Sequence, residues 1–590
     1  MKFALFSLLI SASLVVAAEK PIVAVYDLQG SLSEGGQASA SLLSLDFETD
    51  RPLTFFDVAR SLEKAAVDPA VEALVLDIDD AELGLPQLQE IRRHLLAARE
   101  AGKEIWLYSD HFQNRTALLG SAVNHFVLMP EADISFSGIS SESMYFKGLL
   151  DKAGVAADVI HIGDFKSYGE EYYRTGPSEF AEKQRQELIG STFDQIISDV
   201  AEGRKLTREK VLELVNAGTF TAKAAKEAGL VDQLDYRTDF NRKLRAKYAE
   251  AKFDREYELP DLDGPEITGV LDLFKLMLSS GKNSKSRADY VAVVTLDGAI
   301  SEASIAPVRK EILDLIKDAH AKGLVLRVNS PGGSALASEV LWEATEEWKS
   351  AGRPFAVSMG GVAASGGYYV SAGAERIFAE PGTITGSIGV VGMKLVMGDA
   401  MAKLGITTHS IQRGKHAGAM SMNKPFSPDE AKIIRQSMLD VYGTFKKRII
   451  DGRGDKLQGE LESMAGGRVY TGTRALEIGL VDELGGITDA ISWVAEKAGV
   501  EDGAAQLKPE PKSAIEGLFA SPDKKKDGEI VQMGGQPSAA ADAIRGIIRE
   551  NSFLALPAPV RAALNRALDR LDSINESHIQ LIGPDIQLSW

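Results

Sequence analysis

The stretch Val291-Ala292-Val293 with Leu296-Asp297-Gly298 repeats an earlier one, Val23-Ala24-Val25 with Leu28-Gln29-Gly30, and this recurrence decides the fold. Other echoes follow at a shift of 250. Ala73-Leu74-Val75-Leu76 returns as Gly323-Leu324-Val325-Leu326, and Gly229-Leu230-Val231-Asp232 as Gly479-Leu480-Val481-Asp482. Each copy opens on a short β-branched run bounded by glycine, Ile22–Tyr26 or Val291–Leu296, as a buried strand does. Further strands are expected at Ala73–Ile78 and Ile105–Tyr108, and in the second copy at Leu324–Val328 and Phe355–Val357. Helical spacing separates them at Leu88–Ala98 and Ala337–Trp348, and returns at Glu182–Asp199 and Pro428–Ile450. Strands alternating with helices predict an α/β fold with parallel sheets, present twice.

The 590 residues exceed what one core holds, which agrees with duplication. The reading divides them into 1–18, 19–251 (first repeat), 252–289 (linker), 290–500 (second repeat), 501–538 (flexible linker) and 539–590 (helical C-terminal extension). The first segment, apolar from Phe3 to Ala18 after Lys2 and ending Val16-Ala17-Ala18, reads as a signal peptide or N-terminal anchor. In the last, Ala539–Glu576 carries helical spacing with alternating charges. A net charge of −18 argues against nucleic-acid binding, because phosphates attract a basic surface. The absence of cysteine removes disulfides, a thiolate nucleophile and sulfur-ligated metals.

The two copies differ where chemistry would sit. With Pro130 set against Pro381, Ser365 faces Asn114 and Lys166 faces Ala417. A serine stands in one half only and a lysine in the other only, which suggests one site shared between them. Ser365 lies in Ala363-Ala364-Ser365-Gly366-Gly367-Tyr368-Tyr369, where small neighbours let a substrate backbone approach. Asn329-Ser330-Pro331-Gly332-Gly333-Ser334 follows a strand, and its glycines can turn N–H groups toward an anion. Gly333 and Gly366 are the candidate oxyanion donors, each such donor being worth about 3 kcal/mol of barrier. The first copy has Asp79-Asp80-Ala81-Glu82-Leu83-Gly84 here, acidic and without a glycine pair. A serine hydroxyl needs a base. His409 and His416 are the histidines that could serve; otherwise the base is a lysine kept neutral by desolvation. Lys166 follows the apolar Ile160-His161-Ile162, with Glu170 and Glu171 close behind, and pairing with either acid would raise its pKa.

These motifs, with Thr385-Gly386-Ser387-Ile388-Gly389 and Phe165-Lys166-Ser167, resemble the signal peptide peptidase A (protease IV) family in its long duplicated form, over about Pro21–Val500. The resemblance implies tandem Clp protease/crotonase-like ββα domains. It implies Ser365 as nucleophile, Lys166 as general base and Ser387 as the hydroxyl that orients the lysine. It further implies an exported, membrane-associated homotetramer, in the periplasm or on the outer face of the cytoplasmic membrane. Such an enzyme hydrolyses cleaved signal peptides and other unfolded apolar peptides without metal or cofactor. Two other readings stay open: a crotonase-like acyl-CoA enzyme using the same oxyanion hole, and an inactive scaffold of the same fold.

Overall fold

The computed structural model describes residues 20–35, 52–260, 288–501, 504–509 and 580–582. The signal segment 1–18, most of both linkers and the helical part of the C-terminal extension lie outside them. Among the described residues, no helix is long and apolar enough to cross a membrane.

In the first repeat, β1 (Ile22–Asp27), β2 (Val71–Asp77), β3 (Glu104–Gln113) and β4 (His125–Ser135) precede β5 (Ala156–Ile162), β6 (Gln233–Leu234) and β7 (Lys252–Asp254). All except β5 form one parallel sheet, ordered β6-β4-β3-β2-β1-β7. The second repeat supplies β8 (Tyr290–Asp297), β9 (Ala321–Ser330), β10 (Gly332–Ser334), β11 (Phe355–Ala364), β12 (Arg376–Ala379), β13 (Ile384–Gly386) and β14 (Val390–Val396). It continues with β15 (Val469–Thr471), β16 (Glu483–Leu484) and β17 (Ala505–Lys508). Its sheet runs β15-β13-β11-β9-β8-β17, with β12 beside β11 and β16 beside β12. The single long β4 of the first repeat is thus split into β12 and β13 in the second, around Pro381.

Helices α1 (Phe55–Val67), α2 (Leu85–Glu100), α3 (Asn114–Gly120) and α4 (Glu179–Arg204) have counterparts in α5 (Glu302–Lys317), α6 (Ala335–Ser350), α7 (Gly366–Ser371) and α8 (Pro428–Arg453). Their starts follow ordinary capping: Thr54, Ser178, Ser301 and Ser427 each accept a hydrogen bond from the third residue of the helix they precede.

Three short strands depart from the sequence expectation. β7 opens the stretch read as the 252–289 linker, yet pairs in parallel with β1. β17 lies in the stretch read as the 501–538 linker and pairs with β8 in the same way, so the repeat extends beyond residue 500. Gln580–Ile582 (β18), inside the extension expected to be helical, is also a strand. Such strands are too short to show an apolar run; their partners alone define them.

The repeats share one interior. Val291, Val293, Val325, Ile487 and Ile491 of the second pack into the same buried cluster as Leu74, Ile91 and Leu107 of the first. Across that boundary runs a chain of charges, buried at Arg327, Glu34, Glu90 and Glu380. The guanidinium of Arg327 meets Glu34 at 2.9 Å and Glu90 at 3.8 Å. Arg93 bridges Glu380 and Asp489, each at 2.7 Å. Glu90 also accepts from the Ile487 N–H at 2.7 Å, at the start of α9 (Ile487–Ala498). Burying carboxylates this deeply pushes Glu380 up to about 7 and raises Glu90 as well. The same burial drives His94 down to about 3, so it is neutral.

A third, smaller sheet joins the repeats directly, in the order β10-β18-β14-β5. β5 of the first repeat runs antiparallel to β14 of the second, from Ile162 opposite Val390 to Ala156 opposite Val396.

Candidate active site

The core strand β11 ends at Ser365, which initiates α7. Its backbone has φ 55° and ψ −112°, a region that costs a non-glycine residue about 1–3 kcal/mol. The neighbouring β13 supports it: Ala364 pairs with Gly386, and the Ser365 N–H donates to the Gly386 carbonyl at 2.8 Å. Ser387 comes next, also at φ 55°, with its N–H donating to the Arg468 carbonyl at 2.5 Å. The strain at both serines is held by strand pairing and loop contacts, and both side chains are fully buried.

Lys166 arrives from the other repeat. The β5–β14 pairing brings Ile162 to the start of β14, and a turn at Gly163 then directs the lysine inward. Its ammonium nitrogen lies 2.8 Å from Ser365 Oγ, 2.9 Å from the Ser387 carbonyl and 3.0 Å from Ser387 Oγ. These three partners are neutral oxygens. With Lys166 2% exposed, desolvation holds its pKa well below the usual lysine value. The nearby acids are engaged elsewhere. Glu170 accepts from the Ser178 N–H at 2.9 Å and faces Arg174 at 4.0 Å, while Glu171 accepts from the Gly169 N–H at 3.1 Å. A neutral amine has two N–H donors and one lone pair. With both donors directed at Ser387, the lone pair is left for the Ser365 hydroxyl.

The glycine loop is built for close approach. Gly333 bridges to Ile300, and a Cβ there would fall 2.0 Å from the Ile300 carbonyl oxygen. Asn329 ties the loop to β11, accepting from the Val362 N–H at 3.2 Å. A Cβ on Gly367 would come 2.7 Å from the Ser330 carbonyl, so the loop and the start of α7 lie against each other. Gly333 and Gly366 therefore belong to two touching segments beside Ser365.

The matching region of the first repeat has closed over. Asn114, opposite Ser365, donates its amide to the Gly138 carbonyl at 2.9 Å. Phe136, fully buried, stands where the second repeat has Ser387. The guanidinium of Arg115 donates to the carbonyls of Ala81 and Asp79, at 2.5 and 2.7 Å. That loop thus offers acceptors, the opposite of what an oxyanion needs. Ala417, opposite Lys166, is exposed, as is His409; His416 is half-buried, and neither histidine bonds to Ser365.

Sequence reasoning missed the loop that fastens the lysine. The Phe165 N–H donates to the Gly466 carbonyl at 2.9 Å, and the Gly467 N–H to the Ile388 carbonyl at 2.8 Å. A Cβ on Gly467 would lie 2.4 Å from the Lys166 backbone nitrogen. The Arg468 guanidinium stacks 3.7 Å from the centre of the Phe165 ring. The adjacent glycines of Ala465-Gly466-Gly467-Arg468 were the available signal, but a glycine pair alone does not say what comes so near it.

Two α/β repeats sharing one buried serine–lysine contact define a class, and comparison with known proteins names it. Residues 97–251 and 347–501 each match peptidase family S49, and the chain belongs to that family. It is of the long SppA type: it is 29% identical over 460 residues to the chloroplastic serine protease SPPA of Arabidopsis thaliana, covering 76% of this chain and 66% of that protein. It is equally 29% identical to Protease 4 of Haemophilus influenzae over 463 residues, 75% of this chain and 72% of the relative. Protease 4 of Salmonella typhi matches over 461 residues, again at 29%, with the same coverage. The chain thus spans about two thirds to three quarters of the length of these relatives.

Proposed function

We propose that the protein is a serine endopeptidase in which Ser365 is the nucleophile and Lys166 the general base. The observation that carries this reading is the buried Lys166 nitrogen, bonded to neutral oxygens alone and 2.8 Å from Ser365 Oγ.

Neutral Lys166 accepts the Ser365 proton as Oγ attacks the scissile carbonyl. The N–H groups of Gly333 and Gly366 stabilise the oxyanion. The lysine, now an ammonium, gives the proton to the leaving amine, and an acyl-serine remains. Water then attacks, losing a proton to Lys166, which passes it to Ser365 Oγ as the serine is released and the amine returns to its neutral form. Ser387 keeps the amine aimed through its hydroxyl and carbonyl. This sequence needs no metal or cofactor. The substrates are extended peptides, of which cleaved signal peptides and unfolded apolar segments fit a buried site lined by alanine and glycine. The working form is an exported, membrane-associated homotetramer.

The test is hydrolysis of a reporter peptide by the wild type, Ser365→Ala and Lys166→Ala, with folding checked by circular dichroism. Both variants should lose activity by a factor on the order of 10³ or more. Full activity in folded Lys166→Ala would overturn the assignment of the base. Failure of a fluorophosphonate to label Ser365 would instead favour a crotonase-like or inactive reading.

A further inference from the structure

A row of polar side chains on the first repeat grips the second repeat close to the reacting serines. On α4, Gln184, Ser191 and Gln195 recur at helical spacing and so share one face. Gln184 Oε1 accepts from the Val469 N–H at 2.9 Å. The hydroxyls of Ser191 and Thr471 lie 3.1 Å apart, within hydrogen-bond reach. Gln195 donates from Nε2 to the Pro381 carbonyl at 3.2 Å. Gln89, on α2, accepts from the Gly382 N–H at 2.7 Å and donates to Gln195 Oε1 at 3.2 Å. Gln89 and Gln184 are both buried.

These contacts converge on β13 and β15. Gly382 leads into β13, and β15 pairs with it antiparallel, Val469 opposite Gly386. Among the described residues β15 is the edge of its sheet, so its outward main-chain groups need partners from elsewhere. Gln184 supplies one where a further strand would lie. The chemistry hangs from this strand pair. The Gly386 carbonyl holds the Ser365 N–H, and the carbonyl of Arg468, next to Val469, holds the Ser387 N–H. Both serines keep φ at 55°, and such strain persists only where the surroundings over-determine it. β13 and β15 have 3 residues each, too few to impose it unaided. The first repeat secures them at both ends, at Gly382 and at Val469.

We propose that Gln184 and Gln89 are positioning residues for the serine–lysine centre. They hold β13 and β15 so that Ser365 and Ser387 keep the backbone conformations that turn their hydroxyls to Lys166. The proposal rests on the peptidase reading above and gives the first repeat a second task, beyond supplying the lysine. Docking of the repeats and shaping of the nucleophile thereby become one event.

The test compares Gln184→Met, which keeps the side chain's length but removes its acceptor, with Gln184→Glu, which retains an oxygen there. Gln184→Met should lower kcat on the reporter peptide by about tenfold with KM nearly unchanged, and slow fluorophosphonate labelling of Ser365 to the same degree. Gln184→Glu should recover most of both. Because Gln184 acts through the strands that carry the serines, its effect should shrink in Ser387→Ala; the double variant then loses less than the product of the single losses. Gln186→Met, at an exposed position of the same helix, is the control and should match the wild type. Wild-type kcat in folded Gln184→Met, or losses that simply multiply with those of Ser387→Ala, would overturn the proposal. If Gln184→Met does not fold, Gln89→Met decides by the same measurements, since it removes the acceptor for Gly382. A wild type that neither hydrolyses the peptide nor takes the label overturns the peptidase reading itself. An active wild type beside an equally active and equally labelled Gln184→Met overturns the positioning role alone.

Discussion

Lys166 and Ser365 stand 199 positions apart in the chain and 2.8 Å apart in space, each supplied by a different repeat. The antiparallel pairing of β5 with β14 spans that separation, so the site exists only when the two repeats are docked. Duplication here left one complete centre. The second repeat kept the strained serines and the glycine loop, and the first kept the lysine.

Because burial lowers the Lys166 pKa, activity should rise with pH as the amine loses its proton and level off below the ordinary lysine range near 10.5. The linkage to stability has a defined sign. The unfolded chain binds this proton more readily than the folded one, so the lysine's contribution to stability improves as pH rises through the folded-state pKa toward 10.5 and is worst below that folded-state value. Urea unfolding of wild type and Lys166→Met from pH 7 to pH 10 should therefore show the difference shifting in favour of the wild type. A flat pH–rate profile from pH 6 to pH 10 would contradict a lysine base.

Ser387 bonds the amine twice, and only its hydroxyl can be removed by mutation. Ser387→Ala should lower kcat by about tenfold, the value of one net hydrogen bond, with KM little changed. Steady-state kinetics on the reporter peptide reads this directly. A rise in KM with kcat intact would mean that Ser387 binds substrate and does not position the base.

Gly467→Ala would place a methyl group against the Lys166 backbone, at a residue whose φ is 88°. A cost of about 1–3 kcal/mol in stability is expected, with a fall in kcat as the lysine is displaced. Gly190 in α4 is the control. A Cβ there meets nothing within 4 Å, so Gly190→Ala should stabilise by about 0.5–1 kcal/mol and leave kinetics alone. Equal effects of the two would remove the proposed role of the 465–468 loop.

Arg327→Met would strand Glu34 and Glu90 in the shared interior without their cation, at a cost of about 3–5 kcal/mol near neutral pH. Losing the cation raises the folded-state pKa of Glu90 further above its unfolded value. The deficit should thus be smallest at acid pH, where Glu90 is protonated, and grow as pH rises toward neutrality. Thermal unfolding across that range checks it, and a deficit independent of pH would deny the ionic role.

The repeats, the parallel α/β class and the asymmetry between Ser365/Asn114 and Lys166/Ala417 were legible in the residues alone. Apolar runs such as Val291–Leu296 and helical spacing such as Leu88–Ala98 are local patterns, and burial of one face is what generates them. The short strands β7, β17 and β18 were not legible, because three or four residues carry no period and any stretch can lend its main chain to a neighbouring strand. Nor was the packing of Gly466 and Gly467 against the lysine turn, since glycine permits a close contact without naming the partner.

Local order along the chain was enough to set which segments become strands and which become helices, and to mark the two positions where the copies diverge. What the chain order left open is whether Lys166 is a solvated surface charge or a buried neutral amine. The same residues would read alike in either case, because desolvation depends on everything packed around the group. Docking of the first repeat onto the second excludes water from Lys166, turns Ser387 toward it and brings Ser365 within reach, so the chemistry belongs to the assembled interior.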